Sequence, residues 1–159
     1  RKAHGKTIAP FFYDNLNLWD RFGDHFRNVL PRRSLEKLKD QDESAWSLRH
    51  NSHMTYSLFP MTLFLVQSDH IVWIQARPIA PDQTDIRMTT LVPAQGEDAK
   101  KPESHWQTNH QITCTTLTED FELGESIQAG FANGANTELQ FGRNEGALTE
   151  YNRIVSAYL

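Results

Sequence analysis

Apolar positions near the N-terminus recur at spacings of three and four residues, which is typical of one face of an amphipathic helix. The recurring positions, one of them polar, are Ile8, Phe11, Phe12, Asn15, Leu16, Trp19 and Phe22. Pro10 suits the start of a helix and Gly23 suits its end, so an aromatic-rich helix is predicted over about residues 9–21. The aromatic side chains along this predicted helix are interpreted first as facing the core and second as forming the wall of an apolar pocket. A short capped helix is predicted over Ser34–Leu38.

The pattern changes between His53 and Pro93, where apolar and polar residues alternate and strand-forming residues dominate. Four strands are predicted there, over residues 53–59, 62–67, 71–77 and 85–92. Short turns join consecutive strands, which predicts an antiparallel meander with one face available for a core or a cavity.

Helical periodicity returns after a charged loop at 96–102. Three helices are predicted, over residues 103–116, 117–131 and 144–158. The order of elements is then α, antiparallel β, and α again, and neither repeats nor linkers divide it. The predicted fold class is α+β, an antiparallel β-sheet with helices packed on one face, in a single domain spanning 1–159.

One acidic residue in the second of these helices falls on the predicted inward face. On a helix that advances about 100° per residue, Asp120 shares an arc with Leu117, Phe121, Gly124, Ile127, Gln128 and Phe131. Glu119 and Glu122 project to the opposite side. A carboxylate that points inward needs hydrogen-bond donors, a cation or a metal, because an unpaired buried charge is costly. The simpler alternative is an N-capping Asp, or a half-exposed acid paired with an Arg.

Composition and charge narrow the function classes. With 159 residues, 38% of them hydrophobic and 11% aromatic, the chain can form one domain with a core. A formal net charge of -4 argues against binding to nucleic acid. Cys114 is the single cysteine, which excludes an internal disulfide and a thiolate-rich zinc or iron–sulfur site within this sequence. No apolar stretch approaches about 18 residues, so a cytoplasmic protein without a membrane segment is expected.

Several short motifs follow one another in order along most of the chain. They are Tyr56-x-Leu58-Phe59-Pro60, Gln67-x-Asp69-His70, Arg77-Pro78-Ile79-x-Pro81-Asp82, Glu119-Asp120-x7-Gln128-x-Gly130 and Phe141-Gly142-Arg143-x-Glu145. In this order they resemble the C-terminal catalytic domain of the α subunits of Rieske-type non-haem iron oxygenases, the aromatic-ring-hydroxylating oxygenases. The resemblance implies a helix-grip, START-like fold.

The resemblance also implies a mononuclear Fe(II) held by two histidines and one carboxylate, a ligand set suited to dioxygen chemistry. The implied carboxylate is Asp120, with Glu119 as the fallback because the register of the family's acidic segment varies. The family's histidines form a His-x4-His motif, and His4 matches the second of them. The first would fall two residues before Arg1, so the sequence is expected to be a fragment that starts within this motif.

The implied function of the parent protein is insertion of oxygen from O2 into an aromatic or other apolar substrate. A Rieske [2Fe-2S] cluster is expected only in an N-terminal domain outside this sequence, because one cysteine cannot supply its ligands. A reductase or ferredoxin electron donor and a homotrimeric assembly are implied for the parent. The isolated fragment is expected to be inactive, because it lacks the first histidine and the electron donor.

Two other interpretations stay open. The first is a metal-free, START-like module that binds apolar small molecules, and the second is a truncated domain with no function of its own. His25 and His70 are interpreted as structural or surface residues, because neither has a second ligand at a helical or hairpin spacing. His50 and His53 form an i, i+3 pair that the start of a strand would place on opposite faces, and His105 and His110 are five apart on a predicted helix, which does not align them. No histidine other than His4 is therefore assigned as a metal ligand.

Overall fold

The computed structural model describes residues 9–13, 16–143 and 145–159. Its centre is a six-stranded antiparallel sheet in which each strand pairs with the next one along the chain. The strands are β1 (Leu18–Phe22), β2 (His25–Pro31), β3 (Ser52–Leu58), β4 (Thr62–Val66), β5 (Ile71–Ala80) and β6 (Gln83–Leu91). The predicted four-stranded meander is confirmed, and two further strands extend it at its N-terminal edge.

Three α-helices accompany the sheet, and four short 3-10 helices lie in the connections. The α-helices are α1 (Leu48–Asn51), α2 (Glu103–Ala132) and α3 (Gly146–Ala157). The 3-10 helices span Ala9–Phe11, Arg33–Leu38, Glu43–Ala45 and Asp98–Lys100. The short helix predicted at Ser34–Leu38 is therefore present as a 3-10 helix. None of the described helices is both long and apolar enough to cross a bilayer.

Most of the buried apolar residues of the sheet lie on one face. Residues opposite each other in antiparallel strands point to the same side, and one such row across β2 to β6 is Phe26, Ser57, Leu63, Ile74 and Met88. Phe26 and Ile74 are buried in this row. Two positions before Ile74 on the same face, Val72 is 0% exposed.

Both long helices pack on this core-bearing face. His110 of α2 hydrogen-bonds Thr90 of β6 through Nδ1 and Oγ1 at 2.9 Å. At the other end of the sheet, Gly146 of α3 lies against the ring of Trp19 in β1. The predicted α+β arrangement with helices on one face is therefore confirmed.

The helix predicted over about residues 9–21 is wrong. A 3-10 turn at Ala9–Phe11 is followed by β1, which pairs with β2 through a turn where Gly23 has a φ of +60°. The apolar spacing misled the prediction because Trp19 and Phe22 belong to opposite faces of a strand, not to one face of a helix. Pairing with β2 satisfies the backbone of this segment, so tertiary contacts decide its conformation.

The two helices predicted over residues 103–116 and 117–131 form one continuous helix, α2, of 30 residues. The segment has no proline and no glycine before Gly124, so nothing interrupts the helix at Thr116. At about 1.5 Å per residue, α2 is about 45 Å long, which exceeds the span of its neighbouring strands. Its C-terminal half is accordingly mostly exposed.

Helix α3 is fastened to the sheet by its aromatic side chains. Ile154 is buried, and the Tyr151 hydroxyl donates a hydrogen bond to the Pro60 carbonyl oxygen at 2.7 Å. The Phe59 ring packs against Tyr151 and Tyr158, with centroid distances of 5.8 and 5.2 Å. Burial raises the pKa of the Tyr151 hydroxyl.

Replacing Tyr151 with phenylalanine should lower the free energy of unfolding by about 1 kcal/mol, because the Pro60 carbonyl oxygen loses its donor while the ring contact is kept. Urea unfolding followed by circular dichroism measures the difference. Tyr158→Phe is the matched control, because Tyr158 is 68% exposed and donates to Asp24 at the surface. Equal losses in the two variants would contradict the assignment.

Candidate functional site

Asp120 lies on α2, half-buried, beside the hairpin that connects β5 and β6. A cavity of about 470 Å³ separates the helix from the hairpin. Its lining includes Pro81, Asp82, Ile86, Phe121, Glu125 and Gln128. The structure therefore places Asp120 at the boundary between the helix–sheet interface and a cavity.

The inward arc predicted for α2 is only partly covered by the sheet. Leu117 is half-buried, but Phe121 and Ile127 remain exposed because the helix extends past the sheet. Glu119, which was predicted to point outward, is half-buried like Asp120, and both side chains make interactions. Burial alone therefore does not decide whether Asp120, the preferred carboxylate ligand, or Glu119, the alternative, would bind a metal ion.

The Gln128-x-Gly130 motif has a structural explanation. The Gln128 side-chain amide donates to the Pro81 carbonyl oxygen at 3.3 Å, which links α2 to the β5–β6 hairpin. Gly130 faces the side chain of Asn136, whose Nδ2 would lie 2.5 Å from an added Cβ. Any larger residue at position 130 would therefore force the Asn136 side chain to move.

The motif around Gly142 shapes the start of α3. The backbone N–H of Gly142 donates to the Glu145 carboxylate, and the Glu145 N–H donates back to the Gly142 carbonyl oxygen at 3.0 Å. An added Cβ at Gly142 would meet the Glu145 carboxylate oxygen at 3.1 Å. Glu145 therefore organises the turn that precedes the helix.

None of the described histidines lines the cavity beside Asp120, and several have contacts elsewhere. His25 Nδ1 accepts a hydrogen bond from the Phe59 N–H at 3.1 Å, and His53 packs edge-on against Phe12. His110 contacts Thr90 and Cys114. These contacts support the structural or surface role predicted for His25 and give His53 and His110 structural partners.

The described residues do not fit a complete iron site. Within 9–13, 16–143 and 145–159, no group of three or more His, Cys, Asp or Glu side chains is arranged to hold a metal ion. Asp120 supplies a carboxylate, and none of the described histidines lines its cavity. His4, the predicted histidine ligand, lies outside the described residues.

A partly buried ionic cluster, which we call the Asp69 cluster, joins the β4–β5 turn to the start of α2. It consists of Asp69, His70, Lys101 and His105. Asp69 Oδ2 lies 2.6 Å from Lys101 Nζ and 2.8 Å from His105 Nε2, and Asp69 Oδ1 lies 2.7 Å from His70 Nδ1. Trp106 covers the cluster, with its ring 4.7 Å from that of His105.

The electrostatics of the Asp69 cluster favour the charged carboxylate. Burial raises the pKa of Asp69, but hydrogen bonds from Lys101, His70 and His105 outweigh it and hold that pKa well below its usual range. The hydrogen bond to Asp69 in turn raises the pKa of Lys101. Both partners are therefore charged at neutral pH.

The Asp69 cluster was not predicted from the sequence. Lys101 and His105 lie 32 and 36 residues from Asp69 along the chain, so no local spacing connects them with it. The only signal was the Gln67-x-Asp69-His70 motif, which marks one half of the contact. His70, predicted to be structural or surface-exposed, is 5% exposed within this cluster.

Comparison with known proteins gives one finding. The family model described as ring hydroxylating alpha subunit (catalytic domain) matches residues 13–159. This range contains all six strands, both long helices and Asp120. No curated protein and no solved structure gives a significant match.

Proposed function

The chain belongs to the family of ring-hydroxylating alpha subunits, as their catalytic domain, and we propose that it forms the catalytic portion of an oxygenase. The proposed reaction inserts oxygen from O2 into an aromatic or other apolar substrate. The observation that carries the proposal is the match over residues 13–159, which includes the cavity beside Asp120. The family supports an oxygenase role, and the substrate class is part of the proposal.

In this proposal Asp120 supplies the carboxylate ligand of a mononuclear Fe(II), His4 supplies one imidazole, and Glu119 is the alternative carboxylate. Two histidines and one carboxylate form the facial ligand set of non-haem iron oxygenases, which leaves open positions for dioxygen. The half-burial of Asp120 at a cavity edge supports this role, because a ligand must reach both the metal and its supporting shell.

Part of the wall of the cavity beside Asp120 is apolar and can contact an apolar molecule, while the rest is polar. Ile86 and Phe121 provide apolar walls, while the Gln128 hydrogen bond to Pro81 keeps the hairpin against the helix. The cavity volume of about 470 Å³ is within the range of small-molecule sites. The chain's own contribution is thus to bind and orient the substrate.

Electrons for the proposed reaction come from a Rieske [2Fe-2S] cluster held outside this sequence, because its single cysteine, Cys114, cannot supply the ligands. A reductase or ferredoxin would reduce that cluster. A homo-oligomer is part of the same proposal, because electrons cross between subunits in the family that the sequence resembles. A cytoplasmic location is also proposed.

The second candidate function is a metal-free, START-like module that binds apolar small molecules. It is favoured by the cavities between α2 and the sheet, which have volumes of about 420 and 470 Å³. It requires no ligand to iron and assigns Asp120 no role in binding a metal.

Metal analysis separates the two functions. The protein is expressed from its natural reading frame, including any coding sequence that flanks the 159 residues, incubated anaerobically with Fe(II) and desalted. The oxygenase proposal expects, by mass spectrometry, about one iron per chain in addition to the two of the Rieske [2Fe-2S] cluster. The same protein in denaturant is the control and should retain none. No iron beyond the two of the cluster, or none at all, would refute the oxygenase proposal and leave the metal-free module.

A further inference from the structure

A second cavity lies at the opposite end of the contact between α2 and the sheet. It has a volume of about 420 Å³, and its lining includes Arg32, Gln67, Asp69, Asn109, Ile112 and Thr113. We call it the Arg32 cavity. None of its lining residues lines the cavity beside Asp120, so the two are separate sites.

Arg32 is the residue that makes this cavity unusual. Its side chain is half-buried, its Nη2 donates to Gln67 Oε1 at 3.0 Å, and its guanidinium lies 5.4 Å from the centre of the Phe12 ring. Its Nε is buried with no acceptor among the described residues. No carboxylate of the described residues lies within ion-pair distance of it, whereas Arg27 pairs with Asp20 at 2.6 Å.

The one acidic residue in the lining, Asp69, forms no ion pair with Arg32 and is engaged elsewhere. Its two oxygens already accept hydrogen bonds from the other members of the Asp69 cluster. Burial lowers the pKa of Arg32, and the Asp69 charge opposes this only through space. The guanidinium nevertheless stays protonated, since the ordinary Arg pKa is far above neutrality.

The cavity therefore holds a hydrogen-bond donor, Arg32 Nε, that an acceptor on a bound ligand would satisfy. A half-buried guanidinium without a carboxylate partner is costly, and a ligand that brings a negative charge removes that cost. Arg32 is the only Lys or Arg among the lining residues, so it matches one negative charge. Its planar fork suits a carboxylate, which can accept two parallel hydrogen bonds. The side chains of Phe11 and Ile112 add apolar surface.

We propose that the Arg32 cavity binds a small organic monocarboxylate, with the carboxylate on Arg32 and the apolar body against Phe11 and Ile112. The site requires no iron and does not depend on the oxygenase proposal. Binding measured on protein treated with a metal chelator therefore tests this site alone.

Isothermal titration calorimetry with benzoate tests the proposal, and benzamide serves as the neutral ligand of the same shape. Benzoate should bind saturably, and benzamide at least about tenfold more weakly. Arg32→Gln should weaken benzoate binding about 10- to 100-fold, because a hydrogen bond to a charged group is lost. Arg87→Gln is the matched control, because Arg87 is exposed on the opposite face of the sheet and should bind as the wild type does.

A second variant keeps the test decisive if Arg32→Gln fails to fold, as judged by circular dichroism. Thr113→Phe fills the cavity while leaving Arg32 in place, and it should abolish benzoate binding. The proposal is overturned if the wild type shows no saturable binding, if benzamide or inorganic phosphate binds as tightly as benzoate, or if Thr113→Phe binds normally. Equal weakening by Arg32→Gln and Arg87→Gln would also overturn it.

Discussion

Replacing Asp120 with alanine is expected to strip the natural protein of its mononuclear iron, lowering the affinity of that site for Fe(II) at least about 100-fold. The proposed site has three protein ligands, and loss of a supporting contact alone costs about 10- to 100-fold in metal affinity. Loss of the only carboxylate ligand must cost more, because a negative charge that offsets the metal's charge disappears with it. Metal content after dialysis against a graded Fe(II) buffer measures the affinity.

Two neighbouring acids on α2 provide matched controls. Glu125→Ala removes a carboxylate from the lining of the same cavity and should leave iron binding unchanged. Glu119→Ala tests the fallback ligand. If Glu119→Ala releases the iron and Asp120→Ala does not, the carboxylate is assigned to the wrong residue. If both variants and Glu125→Ala retain wild-type iron, no carboxylate of this helix segment is a ligand.

Replacing Asp69 with alanine should lower the free energy of unfolding by about 3 kcal/mol. Asp69 is 13% exposed, and its removal leaves Lys101 and two histidines without their common acceptor. Removing one partner of a buried ion pair is typically costly because the other charge stays behind. Lys101 softens this loss because it also contacts Asp98 at 2.8 Å. Asp85→Ala, which breaks an exposed pair with Arg77, should cost less than about 1 kcal/mol.

Asp69 also predicts how the free energy of unfolding changes as the pH falls into the acid range. Because the pKa of Asp69 is lower in the folded protein than in the unfolded chain, the unfolded chain takes up the proton first as the pH falls. The stabilisation that Asp69 contributes is therefore complete above the ordinary Asp pKa of about 3.9. It is lost as the pH falls below that value towards the pKa of Asp69 in the folded protein. Urea unfolding between neutral pH and acid should show a steeper loss in the wild type than in Asp69→Ala. Parallel profiles would refute the role of the Asp69 cluster.

The sequence was most informative where local pattern and structure share one period. The alternation from His53 onwards predicted β3 to β6 within a few residues, because a half-buried strand imposes a period of two on its side chains. The ordered motifs identified the family, which the match over residues 13–159 confirms. Helical geometry selected Asp120, and its place as an iron ligand stays a prediction.

The sequence was least informative at the N-terminal edge. Aromatic residues at helical spacing predicted a helix where β1 pairs with β2, because the spacing of Trp19 and Phe22 does not reveal that a partner strand is available. The helix boundary predicted after Thr116 was also wrong. The helix α2 continues there because no helix-breaking residue interrupts it, even though the residues that face inward change along its length.

By itself the sequence determined the α+β class, the antiparallel meander, the family and the candidate carboxylate. These follow from periodicity and from short motifs, which are properties of neighbouring residues. Only the tertiary structure decided that Asp69 joins Lys101 and His105, and that Arg32 faces a cavity with no carboxylate partner among the described residues. Those contacts join residues that lie more than 30 positions apart, so they exist only once the sheet and α2 have packed together.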